Sequence, residues 1–338
     1  MAYKVGWRTL HYCDKSRINW EGTAPRPLLT DIWYPATDDS ECREIYLGPT
    51  EAPLFKAGYA ARDAEIAPGV FPLVLLSHGT GGAALQLGWL ASVLAAQGYT
   101  VAGVNHHGNN ALEPYVAKGF LYWWERAADV SALLTQLLED EFWGEHIDEG
   151  RIGAAGFSLG ASTVIALAGG EIDVPAFRAV YHKSDRDLMR EIPPEFPDPH
   201  AFLALLKTLL KDDTVRLRSY RDERIRCIFA IAPVLGEAFT PAGLEPIDIP
   251  VDIVVGEADT LAPAANNASR FASLIKNAGL NIFSGQVGHY VFLGEATEIG
   301  REAAPLFCMD PPGVERAALH RKTSDMARDF FGRSFDAR

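Results

Sequence analysis

Apolar runs of strand length alternate with longer amphipathic stretches through most of this chain. Phe71–Gly79 (FPLVLLSHG) is a continuous apolar run, the pattern of a strand buried on both faces. Tyr99–Gly108 (YTVAGVNHHG), Arg151–Phe157 (RIGAAGF), Arg224–Val234 (RIRCIFAIAPV) and Ile249–Asp259 (IPVDIVVGEAD) repeat that pattern. Helical stretches fall between them, at Ala83–Gly98, Tyr122–Trp143, Ser158–Ala168 and Ala262–Gly279. Gly98 suits the C-cap of the first of these. A short strand and loop follow at Leu280–His289, and a terminal helix covers Pro312–Phe331. Upstream, Arg26–Ala36 (RPLLTDIWYPA) is β-rich, and the first third of the chain reads as strands. The alternation of strand and helix predicts an α/β fold, a mostly parallel central sheet with helices on both faces.

One segment breaks the rhythm. Glu171–Glu223 is rich in charge and proline (REIPPEFPDPH) and carries one helical stretch, Ala201–Asp213. Its place, between the helix after Ser158 and the next strand, predicts a lid inserted over the C-terminal edge of the sheet. The expected organisation is a single domain, residues 1–338, with residues 171–223 as its lid or cap.

Composition narrows the partners. The 338 residues are 48% hydrophobic and 22% charged, which suits a large soluble core. A net charge of −13, from 44 acidic and 31 basic residues, repels phosphate backbones and anionic membranes. Neither nucleic acid nor membrane is an expected partner, and the oligomeric state is left open. The first residues lack the apolar core of a secretory signal, and no apolar run is long enough to span a bilayer. The expectation is a cytoplasmic protein. Cys13, Cys42, Cys227 and Cys308 are widely spaced, without metal-ligand spacing. No metal and no cofactor is expected.

The chemistry centres on Gly156-Phe157-Ser158-Leu159-Gly160. This G-x-S-x-G sequence lies between a strand and a helix, the setting of a nucleophile elbow. A serine needs a general base, and the base needs an orienting group. Active sites of parallel α/β sheets collect at the C-terminal ends of strands. Asp259 follows the strand Ile249–Gly256, and His289 follows the strand Leu280–Phe283. Their order, serine then aspartate then histidine, is the order of an α/β-hydrolase triad. Glu257 competes with Asp259. Asp259 is preferred because its loop leads into a helix and can turn toward the sheet edge.

An oxyanion needs preorganised donors. The amide of Leu159 is one candidate. The other comes from the loop Ser77–Gly82 (SHGTGG), with Thr80 chosen and Gly79 and Gly81 as rivals. His78 is expected to brace this loop. Asn105–Asn110 (NHHGNN) ends another strand and should border the pocket, as a substrate contact or a loop brace, with His107 as the substrate contact. Trp123, Trp124, Phe239 and Tyr290 are the chief pocket candidates, joined by Phe120 and Tyr122 and by Phe196 and Phe202 from the lid.

Seven stretches, DIWYPA, SHGTGG, HHGN, GFSLGA, IAPVLG, VVGEADTLAP and GHYVFL, together resemble the predicted dienelactone hydrolase group. That group is related to the platelet-activating-factor acetylhydrolases of the α/β-hydrolase superfamily. The resemblance runs from about Arg26 to Phe331. It implies a nucleophile at Ser158, an acid at Asp259, a base at His289 and oxyanion donors at Thr80 and Leu159. Dienelactone hydrolases proper carry a cysteine nucleophile where this chain has serine, so the resemblance does not imply a lactone substrate.

The expected activity is hydrolysis of a small or medium acyl or aryl carboxylic ester through an acyl-enzyme on Ser158. The alternatives are a non-catalytic receptor for a small ligand on the same fold, or cleavage of an amide, thioester or lactone by the same triad.

Overall fold

The computed structural model describes residues 2–180, 188–189, 192, 196–212 and 219–337. Its centre is an 11-stranded sheet. The strands are β1 (Lys4–Ile18), β2 (Pro25–Ala36), β3 (Arg43–Leu47), β4 (Phe55–Arg62), β5 (Phe71–Ser77), β6 (Thr100–His106), β7 (Ile147–Phe157), β8 (Cys227–Ile231), β9 (Val251–Gly256), β10 (Ala278–Phe283) and β11 (Glu295–Ala296). Their order across the sheet is β10-β9-β8-β7-β5-β6-β2-β1-β4-β11, with β3 paired to β4.

The six strands from β10 to β6 in that order are mutually parallel. β2 and β1 extend the sheet antiparallel. The apolar runs become the parallel centre because both faces are covered. Leu73, Val74, Leu75 and Leu76 of β5 have no exposed surface. Helix α1 (Gly88–Ala96) packs with the terminal helix Arg316–Asp336, while α3 (Glu125–Glu139) packs with α4 (Leu159–Leu167). The chain leaves β5 toward β6 on one side and then crosses to β7 on the other. A crevice opens where the order reverses, beyond the C-terminal ends of β5 and β7. Ser77 stands beside Gly156 and Val104 in the register, so the ends of β5, β6 and β7 are level there.

Several elements differ from the sequence expectation. The helix expected over Tyr122–Trp143 is confined to Glu125–Glu139, preceded by a short helix α2 (Ala117–Leu121). The helix expected over Ala262–Gly279 is split into Ala264–Asn266 and Ala268–Leu274. Asn267 at the break has φ −126° and ψ −94°, and its side-chain oxygen accepts from the Gly236 amide at 2.9 Å. The long hairpin of β1 on β2, and the β3–β4 pair, were not placed by the pattern.

Within the expected lid, α5 (Val174–Val180) and a helix Pro199–Lys211 are described. Asp198 caps the latter by accepting from the Ala201 amide, and Pro199 takes the first turn. Residues 181–187, 190–191, 193–195 and 213–218 of that segment lie outside the described residues. Among the described residues, no helix is long and apolar enough to cross a membrane.

Candidate active site

Ser158 sits on a turn that few residues tolerate. Its φ is 55° and its ψ −119°, a left-handed strain that costs about 1–3 kcal/mol in a non-glycine residue. The surrounding backbone enforces it. A Cβ at Gly156 would lie 2.2 Å from the Gly160 carbonyl oxygen. One at Gly160 would lie 1.9 Å from the carbonyl oxygen of Ser77 on the neighbouring strand. Both glycines of the G-x-S-x-G sequence are therefore required for β7 to turn this sharply into α4. The Ser158 amide donates to the Ile231 carbonyl at 2.8 Å, which ties the turn to β8.

Three strand ends converge on this serine. His289 Nε2 lies 2.9 Å from Ser158 Oγ, and His289 Nδ1 lies 2.6 Å from Asp259 Oδ2. The second carboxylate oxygen of Asp259 accepts from the Leu261 and Ala262 amides at 3.0 and 2.7 Å. Those two bonds aim the carboxylate at the imidazole. All three side chains are buried. Glu257, the competing carboxylate, turns instead to the Gly285 amide at 2.6 Å and braces the turn after β10. Asp252 accepts from Asn281 Nδ2 at 3.0 Å, between β9 and β10.

The loop after β5 wraps over the serine. Gly79 is so close that a Cβ there would stand 3.4 Å from Ser158 Cβ. Accounting for its amides removes one of the three rival donors. The Gly81 N–H is taken by Asn109 Oδ1 at 2.6 Å, so Gly81 has no amide to offer. The Gly79 and Thr80 amides have no acceptor among the described residues. Leu159 supplies the first amide of α4, which has no partner within the helix. Thr80 and Leu159 both line the same cavity.

His78 braces this loop. Its Nδ1 lies 2.7 Å from the Gly79 carbonyl, its Nε2 accepts from the His106 amide at 3.1 Å, and its own carbonyl accepts from the buried Arg126 guanidinium. Burial lowers its pKa well below the usual range, with the cation of Arg126 acting in the same direction.

The cavity has a volume of about 120 Å³. Phe120, Leu121, Trp123, Val234 and Leu235 form one part of its wall. Phe177, Leu188, Ile192, Phe202 and Leu206, all from the 171–223 segment, form the other. Among the described residues, no charged side chain lines it. Phe120 meets Phe196 and Phe202 edge to face, with ring centroids 5.1 and 6.3 Å away.

Several expected pocket residues stand elsewhere. Trp123 lines the cavity. Trp124 is packed behind it, edge-on to Phe177. Phe239 has no exposed surface and lies against Trp123 and Phe271, in the core. Tyr290 packs edge-on to Phe307 at 4.8 Å, away from the cavity wall. His107 is buried between Glu113 and Glu21, at 3.0 and 3.2 Å, and its carbonyl accepts from the Trp20 indole at 2.8 Å. Carboxylates on both sides hold it, so it is a loop brace and not a lining residue.

Its neighbour His106 points the other way. His106 Nδ1 lies 3.0 Å from Asp129 Oδ2, and its Nε2 lies 2.9 Å from Ser77 Oγ. Asp129 is further held by Arg26 at 2.6 Å and Arg17 at 2.7 Å. Burial would raise its pKa, but those cations and His106 hold it well below the usual range. This ionic knot was not foreseen from the sequence. Its members lie on β1, β2, β6 and α3, too far apart in the chain for spacing to connect them.

Sheet order, strained serine turn and residue order together define an α/β-hydrolase fold. No family model matches this chain, and no curated protein matches it. Among solved structures it is similar to a ferulic acid esterase from Streptomyces cinnamoneus. The two are 20% identical with a TM-score of 0.66, over 100% of this chain and 92% of the esterase chain. That likeness is one of fold, and it does not reach the narrower dienelactone hydrolase group that the motifs resemble.

Proposed function

We propose that this protein is a serine hydrolase that cleaves a carboxylic ester through an acyl-enzyme on Ser158. The observation that carries the reading is the continuous hydrogen-bonded line from Asp259 through His289 to Ser158, on a turn whose strain the fold enforces. His289 takes the serine proton as Ser158 Oγ attacks the ester carbonyl. Asp259 fixes the tautomer that leaves Nε2 free to accept and stabilises the imidazolium that forms. The Leu159 and Thr80 amides receive the oxyanion. His289 returns the proton to the departing alcohol. A water then repeats the sequence against the acyl-enzyme and releases the acid.

The cavity supports the choice of substrate. Its wall is apolar and aromatic, and about 120 Å³ is well below the roughly 300–1,000 Å³ of sites for drug-sized ligands. A short acyl chain or a single aromatic ring suits it. The likeness in fold to a ferulic acid esterase fits an ester of that kind. The 171–223 segment serves as the lid, since its side chains close one wall of the cavity.

The test is hydrolysis of p-nitrophenyl acetate, butyrate and octanoate by wild type and by Ser158→Ala. Turnover should fall by roughly 10⁴-fold or more in the variant, as for loss of a triad member. A Ser158→Ala protein that keeps its rate would overturn the assignment.

A further inference from the structure

The loop that carries the Thr80 amide is gripped at one residue, through the two peptide groups that flank it. The Gly81 N–H donates to Asn109 Oδ1 at 2.6 Å, and the Gly81 carbonyl accepts from Tyr115 Oη at 2.8 Å. Gly81 has φ +62°, so the conformation so held is one that a side chain would disfavour. The neighbouring peptides are held too. The Gly82 carbonyl accepts from the Ala111 amide at 2.7 Å, and the Ala84 amide donates to Asn105 Oδ1 at 2.9 Å. Every one of these partners comes from β6 and the turn that follows it.

The same two side chains reach the cavity wall. Asn109 Nδ2 donates to the Gly119 carbonyl in α2 at 3.2 Å. Gly119 is pressed onto the turn, since a Cβ there would lie 2.6 Å from the Gly108 carbonyl carbon. The Tyr115 ring packs edge-on to Phe120, with centroids 5.1 Å apart. Asn109 is fully buried and Tyr115 half-buried.

We propose that Asn109 and Tyr115 are positioning residues of the oxyanion site. By holding the two peptides that flank the Gly81 Cα, Asn109 at the N–H of the Thr80–Gly81 peptide and Tyr115 at the carbonyl of the Gly81–Gly82 peptide, they fix the direction of the adjoining Thr80 amide and lock it to the wall of the acyl cavity. This rests on the ester-hydrolase reading of Ser158.

The physical reason is that an oxyanion donor works through its orientation before the reaction, and errors of about 1 Å can cost 10²-fold in rate. The amides that stabilise the oxyanion must not turn away to find other acceptors. Taking the Gly81 amide out of competition leaves the Gly79 and Thr80 amides as the loop's unclaimed donors, and of these two residues Thr80 lines the cavity. Loosening the grip should raise the transition state and leave ground-state binding in the cavity nearly unchanged.

The experiment measures kcat and KM for p-nitrophenyl butyrate with wild type, Asn109→Ala, Tyr115→Phe and Tyr115→Leu, with Ser158→Ala as the inactive control. An aryl trifluoromethyl ketone, which adds reversibly to a serine hydroxyl and leaves an oxyanion, is titrated as an inhibitor of each active variant. Tyr115→Phe removes only the hydroxyl on the Gly81 carbonyl. It should lower kcat by about tenfold with KM within threefold, and weaken the ketone by the same factor as kcat/KM. Asn109→Ala should do the same or more. Tyr115→Leu, which also loses the contact with Phe120, should raise KM as well.

Wild-type turnover with Asn109→Ala and Tyr115→Phe both within twofold in kcat would overturn the inference alone. So would kcat losses with unchanged ketone affinity, since a merely structural role lowers the active fraction without changing affinity for the oxyanion mimic. No turnover in wild type, or turnover retained in Ser158→Ala, would instead overturn the ester-hydrolase reading beneath it.

Discussion

Replacing Asp259 with asparagine changes one atom and should nearly abolish turnover. The carboxylate presents two acceptors. One oxygen holds the Leu261 and Ala262 amides at 3.0 and 2.7 Å, and the other meets His289 Nδ1 at 2.6 Å. An asparagine there has one acceptor and one donor. Turning its NH2 toward the two backbone amides would leave two buried donors unsatisfied, at about 1–3 kcal/mol each. The amide oxygen therefore stays on the backbone and the NH2 faces the imidazole. His289 Nδ1 must then accept, so the proton sits on Nε2 and points at Ser158 Oγ, 2.9 Å away. That tautomer cannot take the serine proton, and the imidazolium loses its counter-charge.

A loss of about 10³–10⁴ in kcat follows, or about 4–5.5 kcal/mol at 1.36 kcal/mol per decade. The assay is steady-state hydrolysis of p-nitrophenyl butyrate, with urea unfolding to show that the variant is folded. Glu257→Gln is the comparison, because Glu257 braces a surface turn and should stay within about threefold of wild type. An Asp259→Asn protein within tenfold of wild type, or an equal loss in Glu257→Gln, would refute the carboxylate assignment.

Three other outcomes are expected. Leu206→Ala should enlarge the cavity behind the acyl site and move the best p-nitrophenyl ester from short chains toward octanoate; an unchanged chain-length profile would mean the acyl group binds elsewhere. Gly160→Ala should cost about 3 kcal/mol or more of stability, read as a lower urea midpoint, because its Cβ would meet the Ser77 carbonyl oxygen at 1.9 Å, where backbone on both sides cannot yield. Stability should also fall with acid: burial, the largest influence in all three, holds His106 down to about 3, His320 down to about 4 and His78 well below its usual range. The unfolded chain takes up these protons near pH 6.5 and the folded chain does not, so each histidine removes about 1.4 kcal/mol between pH 7.5 and 5.5. His107, raised by Glu113 and Glu21 against the effect of burial, returns part of this, and a net loss of about 3 kcal/mol by urea titration is expected. Equal midpoints at the two pH values would contradict the buried-neutral histidines.

The triad positions were legible because each is tied to a local rule. Two glycines around Ser158 answer a steric demand, and strand ends place Asp259 and His289 without knowledge of side-chain packing. The choice between Thr80 and Gly81 obeyed no such rule. It turns on the side chain of Asn109, which captures the Gly81 amide from 28 residues away. The pocket was harder still. Trp123, Trp124 and Phe239 are all large, aromatic and buried, and nothing in their local sequence says that only the first faces a cavity. β1, β3 and β4 were read only as part of a strand-rich first third, without bounds, because their faces are partly exposed and no continuous apolar run marks them.

His106 and His107 show what a firmer reading of the pattern would have given. Adjacent residues along an extended strand point to opposite faces. β6 is extended through His106, so the next side chain had to leave by the other side of the sheet. One histidine enters the Asp129 knot beneath the loop after β5, and the other meets the carboxylates of Glu21 and Glu113. A single ligand shared by the pair was thus excluded by alternation alone. The same alternation frees the turn beyond them, where Asn109 can reach the oxyanion loop on one side and α2 on the other. Of the two readings of this stretch, a substrate contact or a loop brace, the hydrogen bonds of Asn109 to the loop after β5 and to α2 favour the brace.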